Sequence, residues 1–146
     1  AGRRLPSEAE WEFAATMRPC LDGNQGGALV KARYPWGDAA PTASHANLDG
    51  YALGCVDVAD YPAGDNPWGC RQLIGNVWEW TSDTFGPFAG FSPDDYREYS
   101  EPLFGSTKVL RGGAWTTRSR LASGLYRNYF GPDRRDVLAG FRTCAL

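Results

Sequence analysis

Two segments carry the side chains that could do chemistry. Residues 125–142, LYRNYFGPDRRDVLAGFR, hold four arginines and four aromatic rings, although the whole chain has a formal net charge of -2. A planar guanidinium clamps a carboxylate through two parallel N–H bonds, and an aromatic face attracts a quaternary ammonium. The grouping therefore suits a small anionic or zwitterionic ligand. Its alternative is a solvated arginine surface beside core aromatics, in which Arg134 and Arg135 bridge to Asp133 or Asp136 for about 0–1 kcal/mol each if exposed. The second segment is Tyr-Arg-Glu-Tyr, residues 96–99, between Pro93 and Pro102. A phenol gives a proton, accepts a hydrogen bond or offers its face to a cation, and the plainer reading of Tyr96 and Tyr99 is two loop tyrosines packed by their rings.

Metal chemistry is poorly provided for. His45 is the single histidine, whereas a non-haem iron site takes about three protein ligands, commonly two His and a carboxylate; the ligands of any such site sit elsewhere. Cys20, Cys55, Cys70 and Cys144 form no CxxC pair, which argues against a zinc knuckle and for free thiols in a reducing compartment. The balanced charge leaves no basic field for nucleic acid. No apolar run reaches the ~20 residues that cross a bilayer, and AGRRLPSEAEWEFAA lacks the apolar stretch of a signal peptide. The expectation is a cytoplasmic protein with no nucleic-acid or membrane partner.

The elements that must position these groups are few. With 18 Gly, 10 Pro and 20 aromatic residues, turn signals outnumber periodic segments. Ser7-Glu-Ala-Glu10 is a capping box, so a helix starts at Ser7, buries Trp11, Ala14 and Ala15 on one face, and decays near residues 17–19. Residues 22–27, DGNQGG, read as a turn, and residues 34–66 as long irregular backbone whose polar groups side chains, waters or an ion must satisfy. Strands are expected at 108–111 and 139–144. Trp78 and Trp80 are assigned to the core; Glu79 between them either satisfies buried donors or an arginine, or binds a cation. The fold class is α+β with a small sheet and a majority of loop.

Six segments, GRRLPSEAEWEFAA, YPWGD, ANLDG, GNVWEWTSD, VLRGGAW and GFR, resemble in order the formylglycine-generating-enzyme-like, or sulfatase-modifying-factor, domain. The resemblance spans nearly the whole chain and implies one domain over 1–146 with a loop-rich, C-type-lectin-like fold and a small antiparallel sheet. YREYSEP and RNYFGPDRRDVLAGFR are more specific, and are similar to the C-terminal domain of ergothioneine-biosynthesis sulfoxide synthases. In that family a DinB-like N-terminal domain supplies three histidines to Fe(II), and O2 is used to join cysteine or γ-glutamylcysteine to N-α-trimethylhistidine as a sulfoxide. The C-terminal domain walls the pocket.

That resemblance implies roles. Tyr96 would be the proton donor at the iron and Tyr99 the contact for trimethylammonium; Asn128 and Tyr129 would hold the trimethylhistidine carboxylate. Members that use γ-glutamylcysteine tend to carry aspartate where Phe130 stands, so free cysteine is the expected sulfur donor, its carboxylate held by Arg134. Arg111 and Arg142 would be structural ion-pair residues. The superfamily often binds calcium near GNVWEW, and Gln72, Gly75, Val77 and Glu79 could supply the oxygens. Two rival functions stand beside this one. A formylglycine-generating oxidase needs two close cysteines in the C-terminal segment, and none lies between Cys70 and Cys144. A ligand-display module of the same fold would present residues 118–135 without catalysis.

Overall fold

Behind a short strand, β1 (Arg3–Arg4), helix α1 (Glu8–Thr16) starts at Ser7. The Ser7 hydroxyl accepts from the Glu10 N–H at 3.1 Å, and the Glu10 carboxylate accepts from the Ser7 N–H at 2.8 Å. The helix stops at Met17, whose backbone turns extended (φ -84°, ψ 146°), two residues ahead of a proline that disfavours helix in the residue before it. Residues 2–20 and 27–146 are described by the computed structural model; apart from Gly27, the turn expected at 22–27 lies outside them. None of the described helices is long and apolar enough to cross a membrane.

Glu10 also takes a two-pronged bond from Arg4 at 2.6 and 2.7 Å. The Arg4 hydrogen bond first, and the Ser7 backbone second, lower the Glu10 carboxyl from 4.5 to about 2. The folded-state value lies below the unfolded one, so the stabilisation is complete above pH 4.5 and is lost as pH falls toward 2. Glu10→Gln should accordingly flatten the fall of the thermal midpoint between pH 4.5 and pH 2. An acid limb identical to that of the parent protein would show that Glu10 contributes nothing there.

The chain continues through an antiparallel pair, β2 (Met17–Pro19) and β3 (Leu29–Lys31), to a four-stranded sheet. Its strands are β4 (Trp78–Thr84), β5 (Lys108–Arg111), β6 (Arg127–Phe130) and β7 (Ala139–Gly140), in the order β6-β5-β4-β7. Glu79 opposes Arg111 and Leu110 opposes Asn128 in antiparallel ladders, while β7 runs parallel to β4. It follows that β6 and β7 are parallel strands at opposite edges, and such strands need a crossover. Residues 131–138 make it over the face away from α1, with Pro132 beside Trp80 and Lys108.

The expected strand at 108–111 is found with those bounds. The strand expected at 139–144 is two: β7, and β8 (Cys144–Ala145), which pairs with β1 in a separate sheet. Arg142 lies between them, turned to Glu79 with bonds of 2.6 and 2.7 Å, and that inward arginine interrupts the alternation a continuous strand requires. The core consists of Trp11, Ala15, Ala46, Leu48, Leu73, Ile74 and Ala122. Trp78 and Trp80 are only half-buried, because they point to the face that the crossover covers incompletely. Ala14 packs against the core from its edge.

The irregular stretch is pinned by side chains. Asn66 Oδ1 accepts from the N–H groups of Trp68 and Cys70, and its amide donates to the Ala14 carbonyl. Asn76 exchanges two bonds with the Val56 backbone, and Arg71 forks onto Asp65 at 2.7 and 2.8 Å. Each closes a loop that has no strand or helix to satisfy it.

Candidate functional site

Between β4 and β5 the chain makes an excursion over residues 85–107. Its root is closed by the Phe85 N–H on the Thr107 carbonyl at 2.8 Å and the Gly105 N–H on the Phe85 carbonyl at 3.0 Å. Two short 3-10 turns, Arg97–Tyr99 and Glu101–Leu103, bring the Tyr96 and Tyr99 rings to a centroid distance of 5.7 Å. With Phe91, Ser92, Asp94 and Ser100 they line an open hollow of about 400 Å³. Asp94 accepts from the Tyr96 N–H, which sets the backbone ahead of that tyrosine.

Tyr129 reaches the same region from β6. Its ring stacks on Phe85 at 4.4 Å, and its hydroxyl donates a long bond of 3.4 Å to the Tyr99 carbonyl. Burial, then the neighbouring Tyr99 and Tyr126, push the Tyr129 phenol upward, so it keeps its proton at neutral pH and serves as a donor. Three phenols are thus gathered, two of them largely exposed (Tyr96 64%, Tyr99 70%). Such a group can offer ring faces to a cation and hydroxyls to an oxygen.

Asn128, Phe130 and Arg134 are elsewhere. Successive strand residues point to opposite faces. Arg127 and Tyr129 face α1 and Phe85, whereas Asn128 and Phe130 face the crossover. The adjacent pair Asn128 and Tyr129 therefore does not close on one ligand from one side. Asn128 Oδ1 instead accepts from the Tyr129 N–H at 2.9 Å. Arg134 lies 5.4 Å over the Phe130 ring and gives both prongs of its fork to Asp136. That hydrogen bond raises the arginine and lowers the aspartate.

Glu79 is buried beneath α1. Its carboxylate accepts from Trp11 Nε1 at 2.7 Å and from both prongs of Arg142. Burial opposes the charge on Arg142, but the Glu79 bonds outweigh it and raise the group. Both carboxylate oxygens of Glu79 are taken by a cation already present, Arg142, which gives this glutamate an ion-pair role in the structure. Gln72 Nε2 donates to the carbonyls of Asp57 and Asp60, its buried Oε1 has no partner, and Gly75 and Val77 offer backbone carbonyls. Iron has no ligand set, since no group of three or more His, Cys, Asp and Glu side chains is found among the described residues. His45 is stacked on Trp36 at 4.7 Å with Nδ1 against the Thr42 hydroxyl. All four cysteines are unpaired thiols.

Sequence reasoning missed the aromatic floor of the hollow. Phe91 meets Phe104 edge-on at 5.5 Å, and Phe104 packs on Phe85 at 5.4 Å. The spacing of Phe85, Phe88 and Phe91 in FGPFAGF was the available signal.

Residues 1–145 match the model of the sulfatase-modifying factor enzyme 1-like domain. Over 97% of its length the chain is 45% identical to the hercynine oxygenase of Mycolicibacterium thermoresistibile, of which it covers 31%. It is 34% identical over 99% of its length to the formylglycine-generating enzyme of Streptomyces coelicolor, covering 47% of that protein. Among solved structures, the Treponema denticola variable protein 1 superposes with a TM-score of 0.68 at 29% identity, over 97% of this chain and 47% of that one. The chain thus spans about a third of the hercynine oxygenase it resembles. Helix, sheet and loop-rich architecture agree with this family match across the full length: the chain belongs to the sulfatase-modifying factor enzyme 1-like domain family.

Proposed function

We propose that this domain is the substrate-binding wall of a hercynine-oxygenase-type sulfoxide synthase of ergothioneine biosynthesis. The carrying observation is the 45% identity, over 97% of this chain, to a protein named hercynine oxygenase. Hercynine is N-α-trimethylhistidine, a zwitterion with a fixed cation. The faces of Tyr99 and Tyr129 suit its trimethylammonium group, and the Tyr96 hydroxyl is the proton donor. Activation of O2 belongs to Fe(II) held by a DinB-like domain outside this chain. Phe130 stands where users of γ-glutamylcysteine tend to carry aspartate, and that sequence feature, not a contact in the hollow, supports cysteine as the sulfur donor.

The test is a mass-spectrometric assay of the full-length protein with Fe(II), O2, hercynine and either cysteine or γ-glutamylcysteine. The sulfoxide adduct is expected, formed faster from cysteine. Absence of adduct with both thiols removes the reading.

A further inference from the structure

We propose that Arg127 is a positioning residue that locks the tyrosine-bearing excursion to helix α1, with Phe88 as the exposed plate of the lock. The proposal extends the functional reading above, but its first readout is independent of it. Arg127 Nε and Nη2 bind the two Glu8 oxygens at 2.6 and 2.9 Å, which ties β6 to the first turn of α1. The remaining nitrogen, Nη1, donates to the Gly86 carbonyl at 3.0 Å, the second residue of the excursion. The guanidinium is also sandwiched, 4.8 Å from the Phe85 ring and 4.3 Å from the Phe88 ring. Phe88 is 66% exposed and gives its inner face to the guanidinium.

One nitrogen and both faces of the guanidinium thus meet the point where residues 85–107 leave the sheet, while the other two nitrogens anchor it to α1. Phe85 passes the constraint on, since it stacks on Tyr129, and Tyr129 bonds the Tyr99 carbonyl. Beyond the two backbone bonds at its root and the Phe85–Phe104–Phe91 contacts, the excursion is held by single turns such as Tyr99 N–H to Tyr96 carbonyl at 3.3 Å. A lysine could pair with Glu8 but could not fork, reach Gly86 and stack on two rings at once.

Hydrogen exchange read by mass spectrometry on the full-length protein tests this with two variants. Phe88→Ala removes one ring face from the surface and leaves the Glu8 pair intact; Arg127→Met removes the whole lock. In both, amides of residues 86–105 should exchange about tenfold faster, as expected for loss of a partly desolvated cation–π contact, while β4 and β5 keep their protection in Phe88→Ala. Should Arg127→Met fail to fold, Phe88→Ala decides alone. Unchanged exchange over 86–105 in Phe88→Ala overturns the proposal. In the sulfoxide assay both variants should lower kcat and leave the KM for the thiol unaltered; faster exchange with parental kcat likewise overturns the positioning role. No turnover by the parent protein would count against the proposed function and leave the exchange result standing.

Discussion

Replacing Arg111 by methionine should lower the thermal midpoint by roughly 10 °C. The side chain is completely buried, yet it carries a full charge. Nη1 donates to Glu8 at 2.8 Å, Nη2 donates to Glu12 and to the Gly124 carbonyl at 2.7 Å, and the guanidinium lies 5.4 Å over the Trp11 ring. Removing one partner of a buried pair costs about 3–5 kcal/mol, because the desolvated charge left behind has no counterion. Here the lower end applies. Glu8 keeps Arg127 and Glu12 keeps Lys31 at 2.8 Å, so the principal orphan is the Gly124 carbonyl. A melting curve within 2–3 °C of the parent, on the scale of about 1 kcal/mol, would sink the idea that Arg111 clamps α1 to the sheet.

The second large effect is expected at Gly75. Its φ of +82° lies in the left-handed region, where a Cβ costs about 1–2 kcal/mol. That Cβ would also press into the Asn47 carbonyl oxygen and sit 3.1 Å from its carbon. Backbone cannot swing aside as a side chain can. Moving Asn47 would break the Asn76 N–H bond to its carbonyl at 2.9 Å and strain the Gly75 N–H bond to Gly112 at 3.0 Å. Gly75→Ala should therefore lose on the order of 3 kcal/mol in urea unfolding. The control is Gly54→Ala, where nothing lies within 4 Å and a change under about 0.5 kcal/mol is expected. Equal midpoints for the two variants would show that Gly75 is not the tight junction described.

This junction accounts for the glycine and asparagine of GNVWEW. Gly75 and Asn76 both have positive φ, and the reversal they make delivers Glu79 to Trp11 and Arg142. From the sequence the glutamate had two readings, pairing or calcium. Only the approach of Arg142, 63 residues away, separates them.

The elements legible from sequence are those whose cause is local. The Ser7–Glu10 box closes within three residues, and 108–111 carries its strand character in its own side chains, so both stood in the sequence as they stand in the fold. The family motifs, spread in order along the chain, pointed to the α+β architecture and to the phenols of Tyr96 and Tyr99, which the excursion brings to one hollow. Tertiary structure decided what depends on pairing across long separations: the edge strand β7 in place of a longer 139–144, the modest burial of Trp78 and Trp80, and the partner of each arginine. It also decided the face of every residue in 127–130. The family resemblance placed Asn128, Tyr129 and Phe130 together, but a strand divides neighbours between its two sides, and which side meets the hollow is set by the register of β6 against β5.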